Sequence, residues 1–239
     1  GLPDEQDLAL GAAAQLDLDL FHPWAIDATQ AMQLALRCEA AALEVDARIT
    51  NSEGAGVSAQ QSHFFAGNTR GFRGGYASSR HSISVAPIAS TPGRRGGDMQ
   101  RDAWYSSMRA PSELATPEAV GRYAAERALS RLKGRKIATT EVPVLFESTV
   151  ASGLLGAYVQ ATSGGAIYRK STFLQDSLGQ PVLAGHIDIR EDPHVTRGKG
   201  SAPFDDEGLI TRARDVVAGG VVQGYFLSTY SARKLGLRT

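Results

Sequence analysis

The polar side chains that could carry out chemistry follow a short apolar run, residues 142–146. They are Glu147, Ser148, Thr149, Ser152 and Tyr158, with no histidine or cysteine among them. A serine hydrolase built on Ser148 or Ser152 would need a general base to take the hydroxyl proton. The sequence contains no Gly-x-Ser-x-Gly elbow, the strained turn that exposes the nucleophile in one large class of hydrolases. A stand-alone hydrolase is therefore an alternative that lacks its usual motif.

A second set of residue types could bind a metal ion. His186 and Asp188 lie close in sequence to Asp192 and His194, and imidazoles and carboxylates are ligands of zinc. Two histidines with acids between them are a weak signal, because this spacing matches no zinc motif. Cys38 has no histidine–carboxylate pair near it in the sequence, so it is expected to be a small core residue.

The pattern around the first group predicts a buried strand followed by a helix. Residues 142–146 are too few for a helix and rich in branched side chains, which is typical of a buried strand. Apolar residues then recur roughly on one helical face, and Gly164 and Gly165 end the helix. The members of this face are Val150, Leu154, Ala157, Val159 and Ala161. A strand, a turn and a helix of small residues packed on a sheet commonly carry an active site.

Several motifs in this part of the chain resemble those of the TldD/PmbA metallopeptidase family. The first is Gly-Leu-Leu-Gly at residues 153–156. The others are Ser-Gly-Gly-x-x-Tyr-Arg-Lys-Ser-x-Phe-Leu at 163–174, Asp-Ser-Leu-Gly at 176–179, Phe-Asp-Asp-Glu-Gly at 204–208 and Leu-Ser-Thr-Tyr-Ser-Ala-Arg-Lys-Leu-Gly at 227–236. The motifs are specific as a set and weak one by one, and together they cover most of the chain after Gly54.

The resemblance has a direct consequence for the metal site. In the catalytic TldD subunit of the family, His-Glu-x-x-x-His stands immediately before Gly-Leu-x-Gly. The match places Glu147 and Ser152 at the two histidine positions and Ser148 at the position of the catalytic glutamate. Zinc is bound by imidazole and thiolate ligands, which one carboxylate and two hydroxyls do not replace. The chain is therefore similar to the PmbA (TldE) subunit, with no catalytic residue and no metal site of its own.

The resemblance also implies a function, partners and further site residues. The expected function is that of a non-catalytic component of a zinc metallopeptidase, acting in proteolysis and maturation of small or unfolded peptides. Its expected partners are a TldD-type subunit, which would hold the zinc, or a second copy, together with a peptide substrate. The candidates for peptide binding or for a structural role are Gly153, Gly156, Asp205, Asp206 and Glu207. The glycines would let the helix approach a neighbouring backbone. The three carboxylates read as a turn, because a calcium loop needs acids at alternating positions.

Composition limits the other classes of function. The 25 basic and 25 acidic residues cancel, which argues against direct binding of nucleic acid. The family's older description as a modulator of DNA gyrase keeps a gyrase-associated regulator as an alternative. Arginines and aromatics alternate at residues 70–76 and could stack on bases, although a glycine-bearing strand fits a neutral chain better. No apolar run has the length of a membrane span, and the single cysteine is compatible with the cytoplasm.

The remaining pattern predicts an α+β fold with largely antiparallel sheets flanked by helices. Residues 1–24 are expected to be loop-like, and helices are expected to begin at Asp27 and after Thr116. Four short strands are predicted at 47–50, 57–65, 71–79 and 81–88, with a return at 98–108. A second sheet is predicted from strands at 209–218 and 220–230 around a Gly219-Gly220 turn. The loop-rich break near residue 110 divides an N-terminal part, 1–110, from a C-terminal part, 111–239, and both outer ends are expected to be truncated.

Overall fold

The computed structural model describes residues 16–93 and 97–239, so the first part of the expected loop at 1–24 lies outside the described residues. The helices of the described part are α1 (Ala28–Leu43), α2 (Pro117–Ser130), α3 (Ser148–Ala161), α4 (Gly164–Tyr168) and α5 (Thr229–Leu235). The strands are β1 (Ile49–Gly67), β2 (Arg73–Thr91), β3 (Asp98–Arg101), β4 (Trp104–Met108), β5 (Ile189–Glu191), β6 (Arg214–Ala218) and β7 (Val221–Val222). Their antiparallel pairing between helices confirms the predicted α+β class. In the described part of the chain, no helix combines the length and the apolar character that crossing a membrane requires.

One unit of the structure consists of residues Asp19–Phe64 and Tyr76–Thr139. Its sheet has the order β1-β2-β3, and β4 pairs with β2 alongside β3. α1 begins at Asp27, whose Oδ1 accepts the amide of Gln30 at 2.8 Å, while Gln30 Oε1 accepts the amide of Asp27 at 3.1 Å. α2 begins after Thr116, whose Oγ1 accepts the amide of Ala119 at 3.3 Å. Both predicted helix starts are therefore present, because each rests on a hydrogen bond made within one turn.

The core of this unit lies between α1, α2 and β2. Its two clusters of buried side chains are Cys38, Ile83, Val85, Val120 and Ala124, and Ala42, Ile49, Ala89, Ala125 and Ala128. The two helices approach closely at Gly121, where an added Cβ would lie 2.2 Å from the carbonyl oxygen of Cys38. Small residues at the contact thus allow the helix backbones to touch.

Two strands of 19 residues each replace the four short strands predicted between residues 47 and 88. The turn-like residues at 51–54 lie inside β1. There Ser52 Oγ accepts the amide of Gly54 at 2.8 Å, and Gly54 has a φ of +115°. The glycine accommodates the irregularity, so the strand continues through it. The actual reversal is at Asn68, whose amide donates to the carbonyl of Phe72 at 3.0 Å.

The second unit comprises residues 16–18, Phe65–Gly75 and Thr140–Thr239. It contains α3, α4, α5 and the three-stranded sheet β5-β6-β7. The β1–β2 tip belongs to this unit through Phe72, which is 1% exposed and meets the ring of Phe204 edge-on at a centroid distance of 5.0 Å. Because Phe72 is buried, its ring is not available to stack on nucleic-acid bases.

Several local predictions in the second unit are wrong. Residues 142–146 form no strand and are exposed, and in the described part of the chain no strand pairs with them. The predicted strand at 220–230 is only β7, followed by α5. That helix begins with a capping box in which Ser228 and Ser231 exchange side-chain and backbone hydrogen bonds, and it ends at Gly236 with a φ of +67°. The Gly219-Gly220 turn is present, with positive φ at both glycines.

The observed division of the chain differs in position from the boundary predicted near residue 110. The change of unit after β4 comes between Thr139 and Thr140. α2 lies between these two positions, and it groups with α1 and β2 because Val120 and Ala124 pack into their shared core.

Candidate functional site

The residues at the family's zinc-motif positions lie at the start of α3, and all of them are exposed. Glu147 is the N-cap residue, with an extended ψ of 145°, and Ser148 is the first helical residue. Thr149 Oγ1 donates to Glu147 Oε2 at 2.8 Å. Ser152 Oγ donates to the carbonyl of Thr149 at 2.8 Å, so its proton is committed to the helix backbone.

This arrangement offers little chemistry. One carboxylate and two hydroxyls offer zinc a single ordinary ligand, whereas a zinc site has at least three protein ligands. Over residues 16–93 and 97–239, no group of three or more His, Cys, Asp or Glu side chains is placed to hold a metal ion. Ser152 donates its proton to a carbonyl, which does not act as a general base, so its hydroxyl is not activated as a nucleophile. The start of α3 therefore does not fit a zinc centre, and Ser152 is not paired there with a general base.

The apolar residues around this position face solvent. Residues 142–159 include eight large apolar side chains that are at least 40% exposed, up to 97% for Leu145. They are Val142, Val144, Leu145, Phe146, Val150, Leu154, Leu155 and Val159. Tyr158 is the buried residue of α3 and packs against Val216 and Val217 of β6. The predicted helix is thus present, but most of its apolar face is uncovered. Its predicted end is wrong, because α3 ends at Ala161 and the two glycines begin α4.

The two glycines of α3 were expected to let the helix approach a neighbouring backbone. In the described part of the chain, a Cβ built on Gly153 or Gly156 has no heavy atom within 4 Å. The surface beside both glycines is therefore open and forms part of the exposed apolar face.

The acidic motif at residues 204–208 makes hydrogen bonds that hold the fold. Asp205 Oδ1 accepts the amides of Glu207 at 2.9 Å and Leu209 at 2.8 Å. Burial raises the pKa of Asp205 above its usual value, and the backbone hydrogen bonds from Leu209 and Glu207 oppose this rise. Glu207 Oε2 accepts both the amide and the hydroxyl of Thr229 at 2.8 Å, which fixes the first turn of α5. Asp206 is exposed.

The histidines and acids that suggested a metal site also serve turns. His194 Nε2 lies 3.0 Å from Thr211 Oγ1, which itself donates to the carbonyl of Ala202 at 2.9 Å. The imidazole therefore donates from Nε2 to this hydroxyl. Asp188 Oδ1 accepts the amide of Gly219 at 2.7 Å, and His186 is exposed. These residues do not converge on one point.

A cavity of about 550 Å³ in the same unit could not be predicted from the sequence. Glu191, Asp205, Arg214 and Tyr225 are among its lining residues. Arg214 Nε donates to Glu191 Oε2 at 2.6 Å, and its Nη1 donates to the carbonyl of Tyr225 at 2.9 Å. The lining residues come from segments far apart in sequence, so no local sequence pattern predicts the cavity.

Two family models match successive parts of the chain. The model of the PmbA/TldA metallopeptidase central domain matches residues 21–132, and that of the C-terminal domain matches residues 139–239. The chain belongs to the PmbA/TldD metallopeptidase family, as its motifs predicted.

Curated relatives support this membership over the whole chain. The Metalloprotease PmbA of Escherichia coli O157:H7 is 46% identical over 239 residues, which are 100% of this chain and 52% of the relative. A Metalloprotease PmbA homolog of Haemophilus influenzae is 40% identical over 237 residues, 99% of this chain and 51% of the relative. The chain thus spans about half the length of the curated relatives that it matches.

Solved structures show the same fold. A Bacteroides thetaiotaomicron protein described as a modulator of DNA gyrase superposes with a TM-score of 0.91 at 24% identity, covering 100% of this chain and 53% of that chain. A Thermotoga maritima protein with the same description gives 0.79 at 22%, covering 94% and 54%. TldE from Thermococcus kodakarensis gives 0.64 at 15%, covering 87% and 47%.

Proposed function

We propose that this chain is a non-catalytic component of a TldD/TldE-type zinc metallopeptidase that acts in the proteolysis and maturation of small or unfolded peptides. The observation that carries this proposal is the residue set at the start of α3. Glu147, Ser148 and Ser152 occupy the positions that the family resemblance assigns to the histidine ligands and the glutamate base. Zinc does not fit these side chains, so the proposal assigns it to a TldD-type partner.

The chemical requirements of a metallopeptidase support this assignment. A metal ion acidifies a bound water and polarises the peptide carbonyl, and a carboxylate moves the proton. In this chain Ser152 donates to a backbone carbonyl, and Ser148 offers a hydroxyl where a carboxylate base is required. Ligands and base are replaced together, which is the pattern expected when the constraint of catalysis has been released.

The exposed apolar face of α3 supports association with another subunit. Exposed large apolar side chains gathered in one segment are typical of an interaction site. Leu154 and Leu155 are 54% and 51% exposed beside the open glycines of α3, where a neighbouring backbone has room to approach. In this proposal the partner is a TldD-type subunit or a second copy of the chain, which gives a dimer.

The edge strand β1 supports the peptide-binding part of the proposal. β1 lies at the end of the sheet order β1-β2-β3 and is 19 residues long. An edge strand presents main-chain groups that pair with an extended peptide of almost any sequence. The proposal also places the protein in the cytoplasm, where the buried free thiol of Cys38 would remain reduced.

The decisive experiment uses the full natural protein, with and without a TldD-type partner, on an unfolded peptide. We expect no stoichiometric zinc and no cleavage from the protein alone, and cleavage that a chelator abolishes in the mixture. Chelator-insensitive cleavage by the protein alone, lost in Ser148→Ala or Ser152→Ala, would contradict the proposal. So would one zinc per chain that disappears when a histidine is substituted.

The docking surface has its own test. Leu154→Glu should weaken association with the partner at least about tenfold, because a charge would have to be buried at an apolar interface. Met99→Glu is the matched control, since Met99 is 63% exposed on β3 in the other unit. Sedimentation of both variants with the partner measures the effect. Equal association of the two variants would exclude the α3 face as the docking surface.

A further inference from the structure

Two tyrosines and a lysine form an exposed cluster where α4 meets α5. The rings of Tyr168 and Tyr230 are perpendicular, with centroids 5.8 Å apart, and they are 38% and 49% exposed. Lys234 Nζ lies 6.0 Å from the centroid of Tyr168 and 5.8 Å from that of Tyr230. One ammonium group is thus held over two rings from different helices by cation–π attraction.

Close backbone packing holds the two helices in this arrangement. The amide of Gly164 donates to the carbonyl of Phe226 at 2.7 Å. A Cβ added to Gly164 would lie 2.2 Å from Ser231 Oγ, so the side chain of Ser231 on α5 packs directly against the backbone of α4. The packing of α4 against α5 therefore fixes the relative position of the two tyrosine rings.

Two further cations extend the cluster at the end of α4. Arg169 and Lys170 follow Tyr168 directly and are exposed. The guanidinium of Arg169 turns back along α4, where its Nη1 lies 3.2 Å from a Cβ built on Gly165. We call Tyr168, Arg169, Lys170, Tyr230 and Lys234 the basic–aromatic patch.

The positive charge of this patch is not balanced locally. Residues 148–175 and 229–239 contain no aspartate or glutamate, although the whole chain has 25 acidic and 25 basic residues. Across residues 16–93 and 97–239, no carboxylate forms an ion pair with Arg169, Lys170 or Lys234. Glu207 Oε2 accepts two hydrogen bonds from Thr229, the first residue of α5.

The chemistry of the patch selects carboxylates on a flexible chain. Ammonium and guanidinium groups bind carboxylates through charge-assisted hydrogen bonds, and exposed tyrosines add hydroxyl donors and apolar ring surface for aliphatic stems. Base stacking needs a free ring face, whereas these two rings meet edge to face and Lys234 lies over both of them. A polypeptide is therefore a better match than a nucleic acid.

We infer that the basic–aromatic patch binds acidic segments of an unfolded polypeptide. The inference rests on the proposed peptide-handling function and narrows its substrate class to peptides with glutamate or aspartate residues. The patch recruits such a segment by its local positive potential, and the ring pair then packs against the side-chain stems.

The test measures binding by the full natural protein, using fluorescence anisotropy of a labelled unstructured peptide of alternating glutamate and glycine. The same peptide with glutamine in place of glutamate is the neutral probe. We expect the acidic peptide to bind more tightly and to be released by salt. The double variant Lys170→Glu/Lys234→Glu should weaken this binding about tenfold or more, because attraction becomes repulsion. Lys136→Glu, an exposed lysine far along the sequence from α4 and α5, should leave it unchanged.

The outcomes separate this inference from the proposed function. Equal binding of the acidic and neutral peptides would overturn the inference. So would a loss of binding in Lys136→Glu equal to that in the double variant. Tighter, variant-sensitive binding of a single-stranded oligonucleotide would overturn it in favour of nucleic acid. Partner-dependent cleavage of the neutral peptide, measured in parallel, reports on the proposed function alone. The double variant should unfold at the same temperature as the wild type. This control shows that its loss of binding does not come from a loss of folding.

Discussion

Gly208, the last residue of the acidic motif, matters because of the aromatic ring that covers it. Its φ is +81°, and an added Cβ would lie 2.5 Å from Cδ1 of Phe72. Phe204 and Gly208 of the motif therefore pack against the buried ring of Phe72. Asp205 and Glu207 stabilise the surrounding turns by hydrogen bonds. At the scale of single residues, this acidic motif packs against Phe72 and caps the start of α5.

Substitution of Gly208 should destabilise the protein more than substitution of an open glycine. Gly208→Ala is expected to cost about 1–2 kcal/mol for the left-handed backbone plus about 1–3 kcal/mol for overpacking against Phe72. Gly179→Ala is the matched control, because Gly179 has a φ of +76° but no atom within 4 Å of its added Cβ. Urea unfolding of both variants measures the difference. Equal losses of unfolding free energy in the two variants would mean that the Phe72 ring moves aside without cost.

The thiol of Cys38 should be unreactive in the folded protein. Burial, aided by Glu118 and Glu39, raises its pKa to about 11, and the side chain is 0% exposed. A thiol reagent at pH 8 is therefore expected to modify the native protein slowly and the unfolded protein fast. The neutral thiol is favoured in the folded state, so this group stabilises the fold below its ordinary pKa. That contribution is lost as the pH rises towards about 11. Fast modification of the native protein would contradict the burial of Cys38.

At the scale of elements, the helices differ in how completely neighbouring structure covers them. α1 and α2 share a core and touch at Gly121, whereas α3 is buried through Tyr158 and exposes Leu154 and Leu155. All three helices show apolar spacing in the sequence. α1 and α2 bury small residues against each other, although α1 also exposes Met32 and Leu36 at 57% and 55%.

Alanine substitutions should therefore act in opposite directions in α2 and α3. Gly121→Ala places a Cβ 2.2 Å from a backbone oxygen, and the overpacking of about 1–3 kcal/mol should outweigh any gain in helix propensity. Gly153→Ala meets no atom, so it should stabilise the protein by about 0.5–1 kcal/mol. Thermal unfolding monitored by circular dichroism measures both shifts. Stabilisation by Gly121→Ala would disprove the close approach of α1 and α2.

At the scale of the whole molecule, charge argues against a direct role on DNA. The 25 basic and 25 acidic residues cancel, and Phe72 in the arginine-rich stretch is buried. Phosphate contacts supply most of the affinity of non-specific binding, and a neutral chain offers few of them. We expect no binding of a 20-base-pair duplex at physiological salt by anisotropy at micromolar protein. Salt-sensitive binding of the duplex would revive the gyrase-associated alternative.

Features that depend on one turn of chain or on residue identity were predictable from the sequence. Asp27 and Thr116 start helices because their side chains accept amides three residues on, and Gly219-Gly220 turns the chain because both residues adopt positive φ. The proposal that Glu147 and Ser152 stand in place of zinc ligands likewise rests on residue identity, and the family motifs predicted the membership that the family models confirm.

The packing that covers each element was not predictable in this way, because it depends on the tertiary structure. Residues 142–146 have the composition of a buried strand, yet burial requires a neighbouring layer that the described chain does not provide there. The contact between Phe72 and Phe204 joins residues more than 130 positions apart, and the basic–aromatic patch joins Tyr168 to Tyr230. Local patterns encode hydrogen bonds within a turn, whereas these contacts depend on where distant segments meet, which no short stretch of sequence specifies.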